Sequence, residues 1–90
     1  MNNTRRKKLS EINEEIRKVY GMLSAAYCEL SLVYEEEENI FGNLSDGLQA
    51  TYNGQVSEEA IGNMSEAVEL LDVALEKISD ATDCIEEAQI

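Results

Sequence analysis

The chain has no histidine, no proline and no tryptophan, and beyond residue 18 it has a single cation, Lys77. Without histidine it lacks the usual general base near neutral pH and the commonest nitrogen ligand of transition metals. Carboxylates abound, but no glycine-rich phosphate loop and no calcium-loop spacing accompanies them. The sequence therefore predicts a non-enzymatic protein with no catalytic residue, no metal and no cofactor. Any cation association at Glu35 to Glu38 would be weak and nonspecific.

Long apolar runs are also missing. The longest is Ala25 to Cys28, far short of the roughly 20 residues a membrane span requires. Arg5 to Lys8 looks like the charged start of a signal peptide, but Leu9-Ser10-Glu11-Ile12-Asn13-Glu14-Glu15 follows where an apolar segment is needed. These features predict a protein of the cytoplasm, so the sequons at Asn2, Asn43 and Asn63 are chance matches. Only two cysteines are present, Cys28 and Cys84. In a folded-back helical chain they would stand about 21 Å apart along the axis, which predicts two reduced thiols.

What is present is heptad patterning. Leu9, Ile12, Ile16, Val19, Leu23, Ala26, Leu30, Val33, Ile40 and Leu44 follow spacings of three and four, interrupted at Glu37. Ile61, Met64, Val68, Leu71, Leu75, Ile78, Thr82 and Ile85 repeat the pattern with one polar member. Such stripes predict a first helix over about residues 4–41, a turn region over 42–56 and a second helix over about 57–88, forming one domain over residues 1–90. Ser57-Glu58-Glu59 reads as the start of the second helix. Within the turn region, Ser45 could open a short helical turn, or Asn53-Gly54 could tip a hairpin; a plain turn is the preferred expectation.

The predicted fold class is all-α, an antiparallel helical hairpin of coiled-coil type. With Leu9 as heptad position a, Tyr20, Tyr27, Tyr34 and Phe41 all fall at e. With Ile61 as a, Ala60, Ala67, Ala74, Ala81 and Ala88 all fall at g. A third stripe on each helix exceeds what a two-helix seam buries, so a homodimer forming a four-helix bundle, or a partner protein docked on the tyrosine face, is expected. The tyrosines either pack along the hairpin or form the self-association surface of Tyr20, Tyr27, Tyr34 and Phe41. A structural or adaptor coiled coil that self-associates through this stripe is the competing class of function.

The charge distribution points elsewhere. Net charge is −12, and it is polarised: residues 1–18 carry six cations against three carboxylates, and residues 19–90 carry one against sixteen. A surface this acidic repels nucleic acid and anionic membranes and attracts a basic protein. The basic cluster Arg5 to Lys8 is expected to be neutralised by Asp80, Asp83, Glu86 and Glu87 rather than to bind nucleic acid. Along the second helix, Glu59, Glu66, Glu69, Asp72, Glu76, Asp80 and Asp83 recur at helical spacings, about 4.5 to 6 Å between most neighbours. That pitch is close to the phosphate spacing of a DNA strand. Together with Glu35, Glu36, Glu37 and Glu38, these residues form the candidate partner-binding set, a DNA-mimicking ridge for the groove of a nucleic-acid-handling protein. A plain solvated acidic face is the alternative.

The opening Met1-Asn2-Asn3-Thr4-Arg5-Arg6-Lys7-Lys8-Leu9-Ser10-Glu11-Ile12, the mid-chain Asn43-Leu44-Ser45-Asp46-Gly47-Leu48-Gln49 and the acidic second helix resemble small uncharacterised helical proteins of bacteriophages and mobile elements. In those proteins the turn commonly reads Asn-Leu-Pro-Glu-Ser-Leu-Gln; Ser45 replaces the proline here and Gly47 the serine. The resemblance implies a phage protein in a bacterial host cell. It also implies an inhibitor of host defence of the anti-CRISPR or anti-restriction type, with a CRISPR effector among the partners.

Overall fold

A computed structural model describes residues 1–89. Helix α1 spans Asn3–Gly42, a short α2 spans Asp46–Gln49, and α3 spans Tyr52–Ala88; no strand occurs among the described residues. The all-α class expected from the heptads is what forms. The contacts divide the chain into two compact units. Unit 1 joins Met1–Ala26 to Asp72–Ile90, and unit 2 is the continuous segment Tyr27–Leu71.

In unit 1 the start of α1 lies alongside the end of α3, and Arg17 forms a salt bridge with Glu86. Both side chains are about half exposed, so the pair contributes little beyond orientation. The inward residues are Leu9, Ile12, Asn13, Ile16 and Leu23 from α1, with Leu75, Ile78, Thr82 and Ile85 from α3. Leu75 is the one buried hydrophobic residue described in the chain, at 7 % exposure, and no large side chain is fully enclosed. Asn13 is buried more deeply, at 3 %, and its Oδ1 has no hydrogen-bond partner. Thr82 satisfies its hydroxyl by donating to the carbonyl of Ser79 at 2.7 Å.

In unit 2 the chain reverses through α2, so the end of α1 and the start of α3 run antiparallel. The reversal is a short capped helix, not the plain turn the sequence favoured. Ser45 is its N-cap, accepting from the Leu48 amide at 3.3 Å. The Gln49 side chain donates to the carbonyls of Phe41 and Leu44 at 3.0 and 3.1 Å, satisfying acceptors that the end of α1 leaves unpaired. Thr51 then caps α3: its hydroxyl accepts from the Gly54 amide at 3.2 Å and donates to the Leu48 carbonyl at 2.6 Å. The second helix therefore starts at Tyr52, and Ser57 lies inside it. Asn53-Gly54 is helical, not a hairpin tip, and Gly54 serves close approach: a Cβ there would stand 2.5 Å from the carbonyl oxygens of Leu48 and Gln49.

The seam of α1 departs from the a/d stripe. At position a, Leu9, Ile16, Leu23, Leu30 and Leu44 are half-buried and Glu37 is exposed, but at d only Ile12 is half-buried; Val19, Ala26, Val33 and Ile40 are exposed. Position e takes over, with Asn13 buried and Tyr27, Tyr34 and Phe41 half-buried, while Tyr20 is borderline at 36 %. Row d leaves the seam after Ile12, and row e lies in it from Asn13 onward, with Tyr20 at its margin. On α3 the a/d row from Ile61 to Ile85 stays half-buried or buried throughout.

A candidate acidic interface

Unit 2 contains ten carboxylates (Glu29, Glu35 to Glu38, Asp46, Glu58, Glu59, Glu66 and Glu69) and no lysine or arginine, for a net −10. Unit 1 contains all seven cations against nine carboxylates, net −2. The anionic character is concentrated where no cation offsets it.

The carboxylates predicted on the second helix, Glu59, Glu66, Glu69, Asp72, Glu76, Asp80 and Asp83, are all exposed. At 3.6 residues per turn Glu59, Glu66 and Glu69 of unit 2 fall within an arc of about 80° on α3, and Asp72, Glu76, Asp80 and Asp83 of unit 1 also within about 80°. In each unit the arc lies away from the half-buried row. The carboxylates of each unit are thus confined to one side of its part of α3, held outward by the buried a/d row.

Glu35 to Glu38 are also exposed, but four consecutive helical residues cannot share a face, because each advances by about 100°. Glu35 and Glu38, one turn apart, sit toward the same side as Glu69. Glu36 and Glu37 turn to the opposite flank. The Tyr34 hydroxyl reports the junction: its hydrogen bond to the Glu38 carboxylate raises its pKa above the ordinary tyrosine value, and a hydrogen bond with Ser65 opposes that shift. Partial burial and the negative charges of Glu38 and Glu69 add smaller upward pushes. Glu38 of α1 and Glu69 of α3 therefore act on one point, where the end of the first helix meets the ridge of the second.

Of the tyrosine stripe, Tyr27, Tyr34 and Phe41 are half-buried along the α1 seam and Tyr20 is exposed at 36 %; the exposed aromatic of unit 2 is Tyr52, at 80 %. Leu48 of α2 is also exposed, and Leu44, Leu48, Thr51, Asn53, Gly54 and Ser57 line an open depression. Sequence reasoning passed over Tyr52 because it falls outside the row of aromatics at every seventh residue. Its one signal was the position directly after Thr51, the α3 cap.

Cys28 and Cys84 are free and exposed. Neither α1 nor α3 has acidic residues in its first turn or basic ones in its last, so neutral side chains do the capping; Asn2 caps α1 through its bond from the Arg5 amide at 2.8 Å. Among the described residues no helix is long and apolar enough to cross a membrane. No protein-family model matches the chain, and no curated protein and no solved structure matches it. Function has to be argued from this geometry.

Proposed function

We propose that the protein is a non-enzymatic inhibitor that occupies the basic groove of a nucleic-acid-handling protein, in the manner of an anti-CRISPR or anti-restriction DNA mimic. The observation that carries this reading is that Glu59, Glu66 and Glu69 of α3 and Glu35 and Glu38 of α1 are exposed in a unit with no cation. A row of fixed negative charges at helical pitch displaces the counterions of an arginine- and lysine-lined groove much as a phosphate backbone does. Exposed Tyr52 and Leu48 support a protein partner, since exposed aromatic and apolar side chains anchor interfaces that charge alone would leave weak. The resemblance of the opening Met1 to Ile12, the mid-chain Asn43 to Gln49 and the acidic second helix to phage-borne proteins points the same way, toward a host-defence target in the bacterial cytoplasm.

The test is capture from host lysate with and without nuclease, followed by binding of the identified nucleic-acid-handling protein across a salt series. Affinity should fall steeply with salt, and nucleic acid should compete. Replacing Glu66, Glu69 and Asp72 with the corresponding amides should weaken binding without changing helicity. An affinity that stays level from low salt to several hundred millimolar, or binding indifferent to those amides, removes the reading.

A further inference from the structure

We propose that the depression at the reversal of unit 2 receives one large apolar side chain carried on an arginine- and lysine-rich segment of the partner protein. The inference rests on the inhibitor reading and names the anchor by which that partner is held. Unit 2 forms the depression by itself: Leu44 follows α1, Leu48 belongs to α2, Thr51 joins α2 to α3, and Asn53, Gly54 and Ser57 come from the start of α3.

The lining follows from how the chain turns. Leu44 is half-buried and Leu48 is 55 % exposed, so the apolar part of the wall stands open to water and gains by being covered. Thr51, Asn53 and Ser57 add hydroxyl and amide groups that can meet the backbone of an incoming segment. Gly54 is buried, and the lack of a Cβ lets α3 begin directly against the carbonyls of Leu48 and Gln49.

The shape is set before any partner arrives. Ser45 accepts from the Leu48 amide, Thr51 donates to the Leu48 carbonyl, and Gln49 donates to the Leu44 carbonyl. Both leucines therefore stand on fixed backbone, and binding costs little ordering of the site. At about 360 Å³ the depression lies near the small end of binding pockets, which run from roughly 300 to 1,000 Å³. That is room for a single large side chain.

Charge selects what carries that side chain. Asp46 lies two residues before Leu48, Glu58 directly follows Ser57, and both are exposed. Unit 2 as a whole holds ten carboxylates and no cation, so a segment bearing arginine and lysine is attracted and an acidic one is repelled. A second copy is a poor occupant on the same ground: its unit 2 repeats the ten carboxylates, and its unit 1 sets nine carboxylates against seven cations.

The probe is a pair of peptides, Arg-Lys-Leu-Phe-Lys-Arg and its Ser-Ser counterpart, both blocked at their ends and titrated into the full chain carrying labelled leucine methyls. The Leu-Phe peptide should bind at least about tenfold more tightly, the effect of burying one large apolar side chain, and should shift the Leu44 and Leu48 methyls selectively. Leu48→Ser, at an already exposed side chain, should erase the preference with helicity unchanged. Equal affinity for the two peptides, binding of neither, or shifts that leave Leu44 and Leu48 still would overturn the pocket while the salt-dependent inhibitor reading stands. Binding of both peptides indifferent to salt would remove that reading and the pocket with it. Leu44 and Leu48 methyls that move with protein concentration alone would put a second copy in the depression and also overturn the proposal.

Discussion

Units 1 and 2 are built from opposite ends of the same two helices, yet they manage charge and burial differently. Unit 1 holds all the cations, the Arg17–Glu86 pair, and the buried trio Leu75, Asn13 and Thr82. Unit 2 has no cation, a seam of half-buried aromatics, and a reversal held by side-chain hydrogen bonds from Gln49 and Thr51. Unit 1 offsets its own charge and packs like a small core. Unit 2 leaves its charge unpaired and relies on stitched backbone to stay folded. The difference shows how one sequence pattern can serve both stability and display: the heptads recur in both units, and what changes is the company they keep.

The largest effect expected on this contrast is at Gly54. An alanine there places its Cβ against two backbone oxygens of the α2 turn, and backbone cannot give way as a flexible side chain can. Gly54→Ala should cost on the order of 3 kcal/mol. Hydrogen exchange should show the loss of protection across residues 27–71 before residues 1–26 and 72–90. Equal loss in both units would mean that they do not differ in what holds them.

The next effect belongs to unit 1. Leu75→Ala removes the buried hydrophobic side chain and should cost about 2 to 3 kcal/mol, because a seam of half-buried neighbours can partly close the gap. Asn13→Leu should act in the other direction, gaining about 1 to 2 kcal/mol by removing an acceptor buried without a partner. Thermal melts of both variants test the pair. A destabilised Asn13→Leu would show that the amide is satisfied in solution and contributes to holding the register.

These same residues show how far the sequence could be read. The all-α class and the inward a/d row of α3 followed from periodicity, since a row of eight positions leaves a helix one way to face. The α1 seam did not follow, because the apolar d residues Val19, Ala26, Val33 and Ile40 suit a seam as well as the e residues do, and it is Asn13, Tyr27, Tyr34 and Phe41 at e that turn inward. The start of α3 was misplaced by five residues because Ser57-Glu58-Glu59 is a strong local signal; the tertiary bonds of Thr51 and the close fit of Gly54 outweigh it. The exposed α3 carboxylates were legible from spacing alone. That Glu35 and Glu38 separate from Glu36 and Glu37 was implicit in the same spacing. The ion pair of Glu86 joins Arg17, which lies outside the basic cluster Arg5 to Lys8 that Asp80, Asp83, Glu86 and Glu87 were expected to neutralise.

A smaller effect comes from salt. Self-repulsion among ten carboxylates should weaken unit 2 at low ionic strength, and raising salt to a few hundred millimolar should recover about 1 kcal/mol or less. Exchange protection should rise in residues 27–71 and change little elsewhere. A uniform response would assign the repulsion to the whole −12 chain and dissolve the distinction between the units.

The smallest effect is the most local, at the Tyr34 hydroxyl between Glu38 and Ser65. Its folded pKa is raised, mainly by the hydrogen bond to Glu38, so the protonated phenol is favoured by folding. Whatever stability this supplies is present below the unfolded tyrosine pKa and is lost as pH rises through the folded value. Tyr34→Phe removes the hydroxyl, so the stability gap between wild type and variant should be widest near neutral pH and should narrow above about pH 10. Urea unfolding at about pH 8 and again above the tyrosine range reads it directly. A gap that stays constant would mean that Glu38 does not hold the phenol, and the junction between the end of α1 and the acidic ridge would lose its one internal reporter.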